Sequence, residues 1–288
     1  MSNTDKADAK QWDQIIRPHE DILSLRISEL WQYRDLIYLF VKRDFVAQYK
    51  QTILGPAWHI IQPLLTTIMF TIVFGKIAKI STEGVPPFIF YLSGTVIWTY
   101  FANVTTSTSA TFSSNAHIFG KVYFPRLVVP IATCISKLIA FAIQFLFFTC
   151  FLIYFSFTSD SQISPNAWIL ITPLLLMMMA MFALGAGLLI TAMTTRYHDL
   201  AVLVGFGIQL AMYASPVIYP VSSLPEKWQF WANLNPIAPI IEGFRYAYLG
   251  VGQFEPSQLL QSTAVIVILF ILSVLVFNRV ERTFADTI

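Results

Sequence analysis

The chain has 288 residues, of which 56% are hydrophobic, 15% aromatic and only 12% charged. An ordinary soluble domain carries roughly 25% charged residues, and one core could not hide so much apolar side chain from water. The composition excludes a disordered chain and a soluble enzyme, argues against a nucleic-acid binder, and points to a protein whose solvent is the bilayer.

Residues 1–14 are polar and contain no apolar stretch, so no cleavable signal peptide is expected. Residues 1–56 are expected to form a cytoplasmic N-terminal segment, and 57–288 an all-α membrane domain. From Glu29 to Tyr49, the apolar residues Leu30, Tyr33, Ile37, Phe40, Val41, Phe45 and Tyr49 recur at helical spacing. Arg34, Asp35, Lys42, Arg43 and Asp44 fall on the opposite face. This pattern predicts an amphipathic helix along the cytoplasmic membrane surface, serving as an anchor or as a platform for a soluble partner.

Uncharged runs at 51–75, 84–116, 138–159, 161–195, 200–225 and 256–278 each supply the roughly 20 apolar residues that a spanning helix needs. They predict six helices near 57–79, 88–110, 130–157, 167–194, 200–220 and 257–278. A further uncharged run, 228–241, is too short to cross and carries Pro236 and Pro239. It predicts a re-entrant or interfacial hairpin of two short helices before the last span, with protein burying its broken backbone. The flanking charges Glu226, Lys227, Glu242 and Arg245 are expected to hold both of its ends at the outer surface.

Six crossings place both termini on one side. That side would hold Lys6, Lys10, Arg17, Arg26, Arg34, Lys42, Arg43, Lys50, Lys121, Arg126, Arg196, Arg279 and Arg282, against Lys76, Lys79, Lys227 and Arg245 on the other. The positive-inside rule therefore predicts cytoplasmic termini. Cys134 and Cys150 read as buried small hydrophobes. The histidines, His19, His59, His117 and His198, have no partner at metal-ligand spacing. No G-x-x-x-x-G-K-[ST] occurs, so ATP cannot be bound through a P-loop. The middle of every span lacks Asp and Glu, the groups on which proton-coupled transporters and intramembrane proteases usually depend. Lys137, near the cytoplasmic end of the third span, either snorkels to the interface or contacts an anionic headgroup. Neither cofactor nor metal is expected on this chain, and an energised function would need a separate motor subunit.

Several motifs then resemble one family. The segment Tyr49-Lys50-Gln51-Thr52-Ile53-Leu54-Gly55-Pro56-Ala57-Trp58 is similar to the Y-[RK]-x-[ST]-x-L-G-x-x-W lead into the first span of membrane subunits of type-2 ATP-binding-cassette exporters, in their polysaccharide and O-antigen branch. Asn115 to Arg126, N-A-H-I-F-G-K-V-Y-F-P-R, resembles that branch's cytoplasmic loop, with Gly120 where Ser or a larger residue is more common. Ser215-Pro216-Val217-Ile218-Tyr219, Leu234-Asn235-Pro236 and the terminal Glu281-Arg282-Thr283-Phe284-Ala285-Asp286-Thr287-Ile288 match further elements in order. The likeness covers residues 30 to 288.

The resemblance implies a homodimer of this chain with two cytoplasmic ATPase subunits, which hold the ATP and Mg. It also implies export of a lipid-linked polysaccharide, on a carrier such as undecaprenyl pyrophosphate, across the bacterial inner membrane. On this reading His117, Ile118 and Phe119 form an apolar knob that docks the ATPase, with Lys121 and Val122 at its rim and Arg34 and Asp35 on the N-terminal helix. Lys42, Arg43, Lys50, Leu54, Gly55 and Pro56 form a cytoplasmic entrance, where Gly55 permits a sharp turn and Pro56 suits a first helical turn. Pyranose C–H faces stack on aromatic rings, so Phe70, Phe74, Trp98, Tyr100, Phe101, Tyr213 and Tyr219 are candidates to line a channel; each is otherwise a core, lipid-facing or interfacial residue. Gly185, Gly187, Gly207 and Ala211 are read as helix-packing positions. Two rivals stay open: export of a teichoic-acid-like polymer or a small hydrophobic drug, and a membrane enzyme acting on lipid-linked sugars. The enzyme would need paired acids or a metal site near the interface.

Overall fold

The computed structural model describes residues 27–50, 52, 54–122, 124–158, 163–194 and 200–285, with the side chains of 27–29, 201 and 281–285 left aside. The polar residues 1–26, motif residues Gln51, Ile53 and Tyr123, the Arg196 and His198 region, and the last three residues lie outside the described residues. No strand occurs among the described residues. Among the described residues eleven α-helices run in order: α1 (Ile27–Gln32), α2 (Arg34–Tyr49), α3 (Trp58–Phe70), α4 (Pro87–Ser109), α5 (Thr111–Phe119), α6 (Val128–Thr158), α7 (Thr172–Thr194), α8 (Leu200–Ala214), α9 (Glu226–Leu234), α10 (Ala238–Leu249) and α11 (Pro256–Ala285).

Among the described residues four segments are long and apolar enough to cross a bilayer: Gly55–Ile77, Val128–Thr158, Ala167–Thr194 and Pro256–Val280, with mean hydropathy from 1.7 to 2.7. The other two expected spans differ for separate reasons. Helix α8 is apolar but has 15 residues, which at 1.5 Å per residue is roughly 22 Å. It stops before Pro216, whose ring disfavours a helical conformation at Ser215.

Helix α4 has 23 residues but carries Ser, Thr and Asn along much of its length. It can do so because it is the centre of the bundle, packed by α3, α6, α7, α8 and α10. Every residue from Ile89 to Trp98 is buried. Several of its hydroxyls are bonded inside the protein, which offsets the cost of placing them in a low-dielectric surrounding; those of Tyr91 and Thr108 are buried without a partner. Ser93 Oγ donates to the carbonyl of Phe90 at 2.6 Å, and Thr95 Oγ1 donates to that of Tyr91 at 2.7 Å. Two bonds tie α4 to α7: Thr105 Oγ1 to the Ala183 carbonyl at 3.2 Å and Thr191 Oγ1 to the Thr108 carbonyl at 2.6 Å.

Small residues set the spacing on both sides of α7. A Cβ at Gly187 would lie 2.5 Å from Thr108 Cβ on α4, and one at Gly185 would lie 2.9 Å from Leu269 Cδ2 on α11. The two glycines let α7 sit between its neighbours at a distance no side chain allows. Gly207 differs: a Cβ there meets nothing within 4 Å.

The N-terminal helices pack on the bundle through α2 and α6. Phe40 is buried, and Leu30, Tyr33, Leu36, Ile37 and Val41 pack partly buried against the core. The outward side mixes apolar Trp31, Tyr38 and Leu39 with charged Arg34, Asp35 and Lys42, so it is not a clean polar face.

Helices α9 and α10 flank Asn235-Pro236, as the proline spacing predicts. Asn235 fixes this joint by donating through Nδ2 to Ser215 Oγ at 2.9 Å and accepting from the Ile237 N–H at 3.0 Å. The expectation that Glu242 and Arg245 sit at the outer surface is corrected: they are 3% and 0% exposed. Helix α10 is not a rim element but an inner one, wedged among α4, α7, α9 and α11. The charges can be buried because each is satisfied. Arg245 donates to the carbonyls of Pro216 and Val217 at 2.6 Å and lies 3.9 Å above the Phe90 ring. Glu242 accepts from Arg245 at 3.4 Å and from the Gln253 N–H at 3.1 Å.

Candidate functional site

Three stripes of helical spacing converge on one groove. From α3 come Gln62, Thr66, Met69 and Phe70; from α4, Thr95, Trp98, Thr99, Ala102 and Asn103; from α8, Gly205, Ile208, Gln209, Met212 and Tyr213. Steps of three and four residues keep each set on one helical face. The groove encloses about 510 Å³, within the range of small-molecule sites. Among the described residues no charged side chain lines it. Its chemistry is aromatic rings interleaved with neutral donors and acceptors: amides from Gln62, Asn103 and Gln209, and hydroxyls from Thr66, Thr95, Thr99 and Tyr213. Such a wall can stack on the apolar face of a sugar and hydrogen-bond to its hydroxyls, without the tight grip that a charge would impose.

Of the candidate aromatics, Phe70, Trp98 and Tyr213 line this groove. Phe74 stands behind Phe70, with ring centroids 5.5 Å apart. Tyr100 is turned the other way, into the protein between α4 and α6: it is 2% exposed, its hydroxyl is 3.4 Å from the Cys134 carbonyl, and its ring meets Phe141. Phe101 stacks on Phe182 of α7 at 5.3 Å and borders a smaller apolar pocket. Tyr219 is half-buried beyond α8, its carbonyl turned towards Arg245. The amides of Gln62, Asn103 and Gln209 are not among the candidates that the sequence motifs supply. Their signal was available, since side-chain amides inside apolar runs are costly unless they face protein or a polar cavity.

The expected docking element is partly a helix, α5, followed by a turn. His117, Lys121 and Val122 are exposed and Ile118 is half-buried. Phe119 is not part of an exposed knob: at 9% exposure it is a buried anchor. Its ring lies 5.9 Å from Phe112 and 5.6 Å from Phe124, and the Arg126 guanidinium sits 5.5 Å from it. Phe112 in turn stacks on Phe277 of α11 at 5.1 Å. The elbow is thereby fixed to the bundle while its outer residues stay open. Arg34 and Asp35 are exposed and 3.9 Å apart.

At the expected entrance, Gly55 adopts φ 47°, a left-handed conformation that favours glycine, and Pro56 opens the single turn Gly55–Ala57 ahead of α3. Lys42, Lys50, Leu54 and Pro56 are exposed. Arg43 faces inward instead, 4.5 Å above the Phe40 ring and bonded to Asp44 at 2.8 Å.

The family model described as ABC-2 type transporter matches residues 35–249, which include the groove, the elbow and α10. The chain belongs to this family. Among relatives of this ABC-2 transporter, an O-antigen export system permease protein, RfbA, of Klebsiella pneumoniae is 25% identical over 88% of this chain and 94% of its own length. The protein of the same name from Myxococcus xanthus is 23% identical over 91% of this chain and 98% of its own length. A capsule polysaccharide export inner-membrane protein, CtrC, of Neisseria meningitidis is 23% identical over 78% of this chain and 83% of its own length. The relatives of this ABC-2 transporter thus include proteins named for O-antigen export and for capsule polysaccharide export.

Proposed function

We propose that this chain is the permease subunit of an ATP-driven exporter that moves a lipid-linked polysaccharide, an O-antigen or a similar surface glycan, across the bacterial inner membrane. The observation that carries the reading is the groove between α3, α4 and α8: uncharged, aromatic and amide-lined along successive helical turns. A repetitive, neutral, hydroxyl-rich polymer suits such a wall, and relatives named for O-antigen and capsule export support the choice of cargo.

In this reading two copies of the chain face each other across their grooves and join two ATPase subunits, which hold ATP and Mg. His117, Ile118, Lys121 and Val122, with Arg34 and Asp35, meet the ATPase, and Phe119 transmits its movement through Phe112 to α11. Both termini are cytoplasmic, and α4 and α8 complete six crossings. Helix α8 crosses together with residues 215–220, whose freed carbonyls Arg245 satisfies. Lys42, Lys50, Leu54, Gly55 and Pro56 lie at the entrance, and α9 closes the outer mouth with the buried α10 behind it.

The test is export. The chain and its ATPase are co-reconstituted in proteoliposomes with a lipid-linked polysaccharide outside, accessible to inward-facing transporters, and polymer sequestered in the lumen is measured. ATP-dependent sequestration is expected, reduced severalfold by Trp98→Ala. Sequestration without ATP, or none with an ATPase that hydrolyses normally in the complex, overturns the proposal.

A further inference from the structure

A second cavity, of about 730 Å³, lies at the end of the bundle that carries α2 and α5. Its character is opposite to that of the groove. Arg43, Asp44 and Gln48 enter it from α2, Asn115 and His117 from α5, and Lys137 from α6. Lys137 is half-buried, nine residues into a helix apolar enough to cross the membrane; that is about 13 Å from the helix start. Among the described residues its ammonium has no hydrogen-bond or ion-pair partner. The one carboxylate in the cavity, Asp44, is engaged by Arg43 at 2.8 Å. Arg43 also reaches Asn115 Oδ1 at 3.4 Å.

A half-buried cation with no contact partner is costly in such a setting; the Asp44 carboxylate acts on Lys137 from a distance, but its contact is made with Arg43, so the cavity keeps an excess of positive charge. The surrounding groups, a guanidinium, an ammonium, an imidazole and two amides, come from three helices and converge from different sides; Gln48 Nε2 already meets His59 Nε2 at 3.1 Å and Asn115 Nδ2 donates to the Thr111 carbonyl at 3.0 Å, which leaves the guanidinium and the ammonium as the principal donors. That arrangement suits an anion with several acceptor oxygens in three dimensions rather than a planar carboxylate. Basic pockets between membrane helices at headgroup depth take phosphorylated lipid headgroups. We propose that this cavity binds the phosphate or diphosphate headgroup of a membrane lipid, with Lys137 and Arg43 as its principal ligands.

Ser107 of α4 borders the cavity, and Asn103, one turn earlier on the same helical face, borders the groove. A headgroup held by Lys137 would therefore place whatever it carries at the foot of the groove. The binding site itself rests on the cavity and does not require that the chain export polysaccharide.

The test uses the full chain in neutral detergent micelles and measures binding by native mass spectrometry. The probes are a polyprenyl diphosphate, the corresponding polyprenol, phosphatidylglycerol and inorganic pyrophosphate. The diphosphate lipid is expected to bind, the polyprenol not. Lys137→Gln is expected to weaken binding about tenfold, the loss of one charge-assisted contact. Lys137→Arg is expected to restore it, and Lys76→Gln, remote from the cavity, to leave it unchanged. Lys137-dependent binding of the diphosphate lipid alone identifies a lipid-linked ligand; equal binding of phosphatidylglycerol identifies a bilayer phospholipid. If inorganic pyrophosphate binds as tightly as either lipid, the ligand is a soluble phosphate and the proposal fails. It fails also if Lys137→Gln melts like the native chain and binds every probe unchanged. These outcomes need no ATPase and no transport, so they stand apart from any failure of the export assay.

Discussion

The guanidinium Nη2 of Arg245 lies 2.6 Å from the main-chain carbonyl oxygen of Val217, across a gap of 28 residues. The contact joins the inner helix α10 to the non-helical stretch that follows α8. A Cβ at Gly94 would fall 2.8 Å from both partners, so α4 presents a glycine where the contact is made. Replacing Arg245 with Met would strand the Pro216 and Val217 carbonyls and leave Glu242 buried without its counter-charge. A loss of about 3–5 kcal/mol is expected, the usual penalty for breaking a buried pair from one side. Thermal unfolding in detergent, followed by tryptophan fluorescence, should show it; a melting temperature equal to the native one would mean that the carbonyls find other donors.

The spacing between α4 and α7 makes a second prediction. Gly187→Ala forces a methyl against Thr108 and the Thr105 carbonyl, at 2.5 and 3.2 Å. Overpacking of this kind costs about 1–3 kcal/mol. Gly207→Ala, which meets nothing in the protomer, should leave protomer stability unchanged. Parallel melts of the two variants decide the matter, and equal destabilisation would show that the helices are not held at this distance.

Burial separates the residues of the elbow into two kinds. Phe119→Ala removes a buried ring and should cost about 3–5 kcal/mol, with loss of folded protein. Val122→Asp changes a residue that is 59% exposed, so the fold should survive while copurification with the ATPase falls. If Val122→Asp copurifies normally, the docking surface lies elsewhere.

The groove amides can be tested by shape-preserving change. Gln209→Leu and Asn103→Leu remove hydrogen-bonding capacity with little change of volume. Export should drop severalfold while the melting temperature holds or rises, because the amides would be serving cargo and not the fold. A drop in melting temperature with export intact would assign them to internal packing instead.

Much of this arrangement could be read from residue order. Charge-free runs locate α4 at 88–110 and a span at 167–194, against the observed helix Pro87–Ser109 and the apolar segment Ala167–Thr194 that ends in α7, because charges are excluded from the middle of such helices. The expected end of α8 at 220 overshoots the observed Ala214, since hydropathy does not register that Pro216 disfavours a helical Ser215. The aromatic candidates mixed faces: Trp98 and Tyr100 are two residues apart, about 200° around a helix, and cannot both line one groove. Helical angle alone separates them. The burial of Glu242 and Arg245 had no local signal. Charges beside a short apolar run look like surface anchors, and only the distant carbonyls of 216 and 217 explain why they go inside.

The groove wall carries no charge among the described residues, and this has an electrical consequence. An inside-negative membrane potential does no work on the wall as cargo passes, and it acts only on charges that the cargo brings. Each negative charge carried outward through the whole field is helped by about 2.3 kcal/mol per 100 mV. A neutral glycan gains nothing from it. In the proposed exporter, dissipating the potential should leave the passage of neutral sugar repeats unchanged and slow only the step in which an anionic end crosses, so voltage would set the pace at the ends of the polymer and nucleotide hydrolysis along its length.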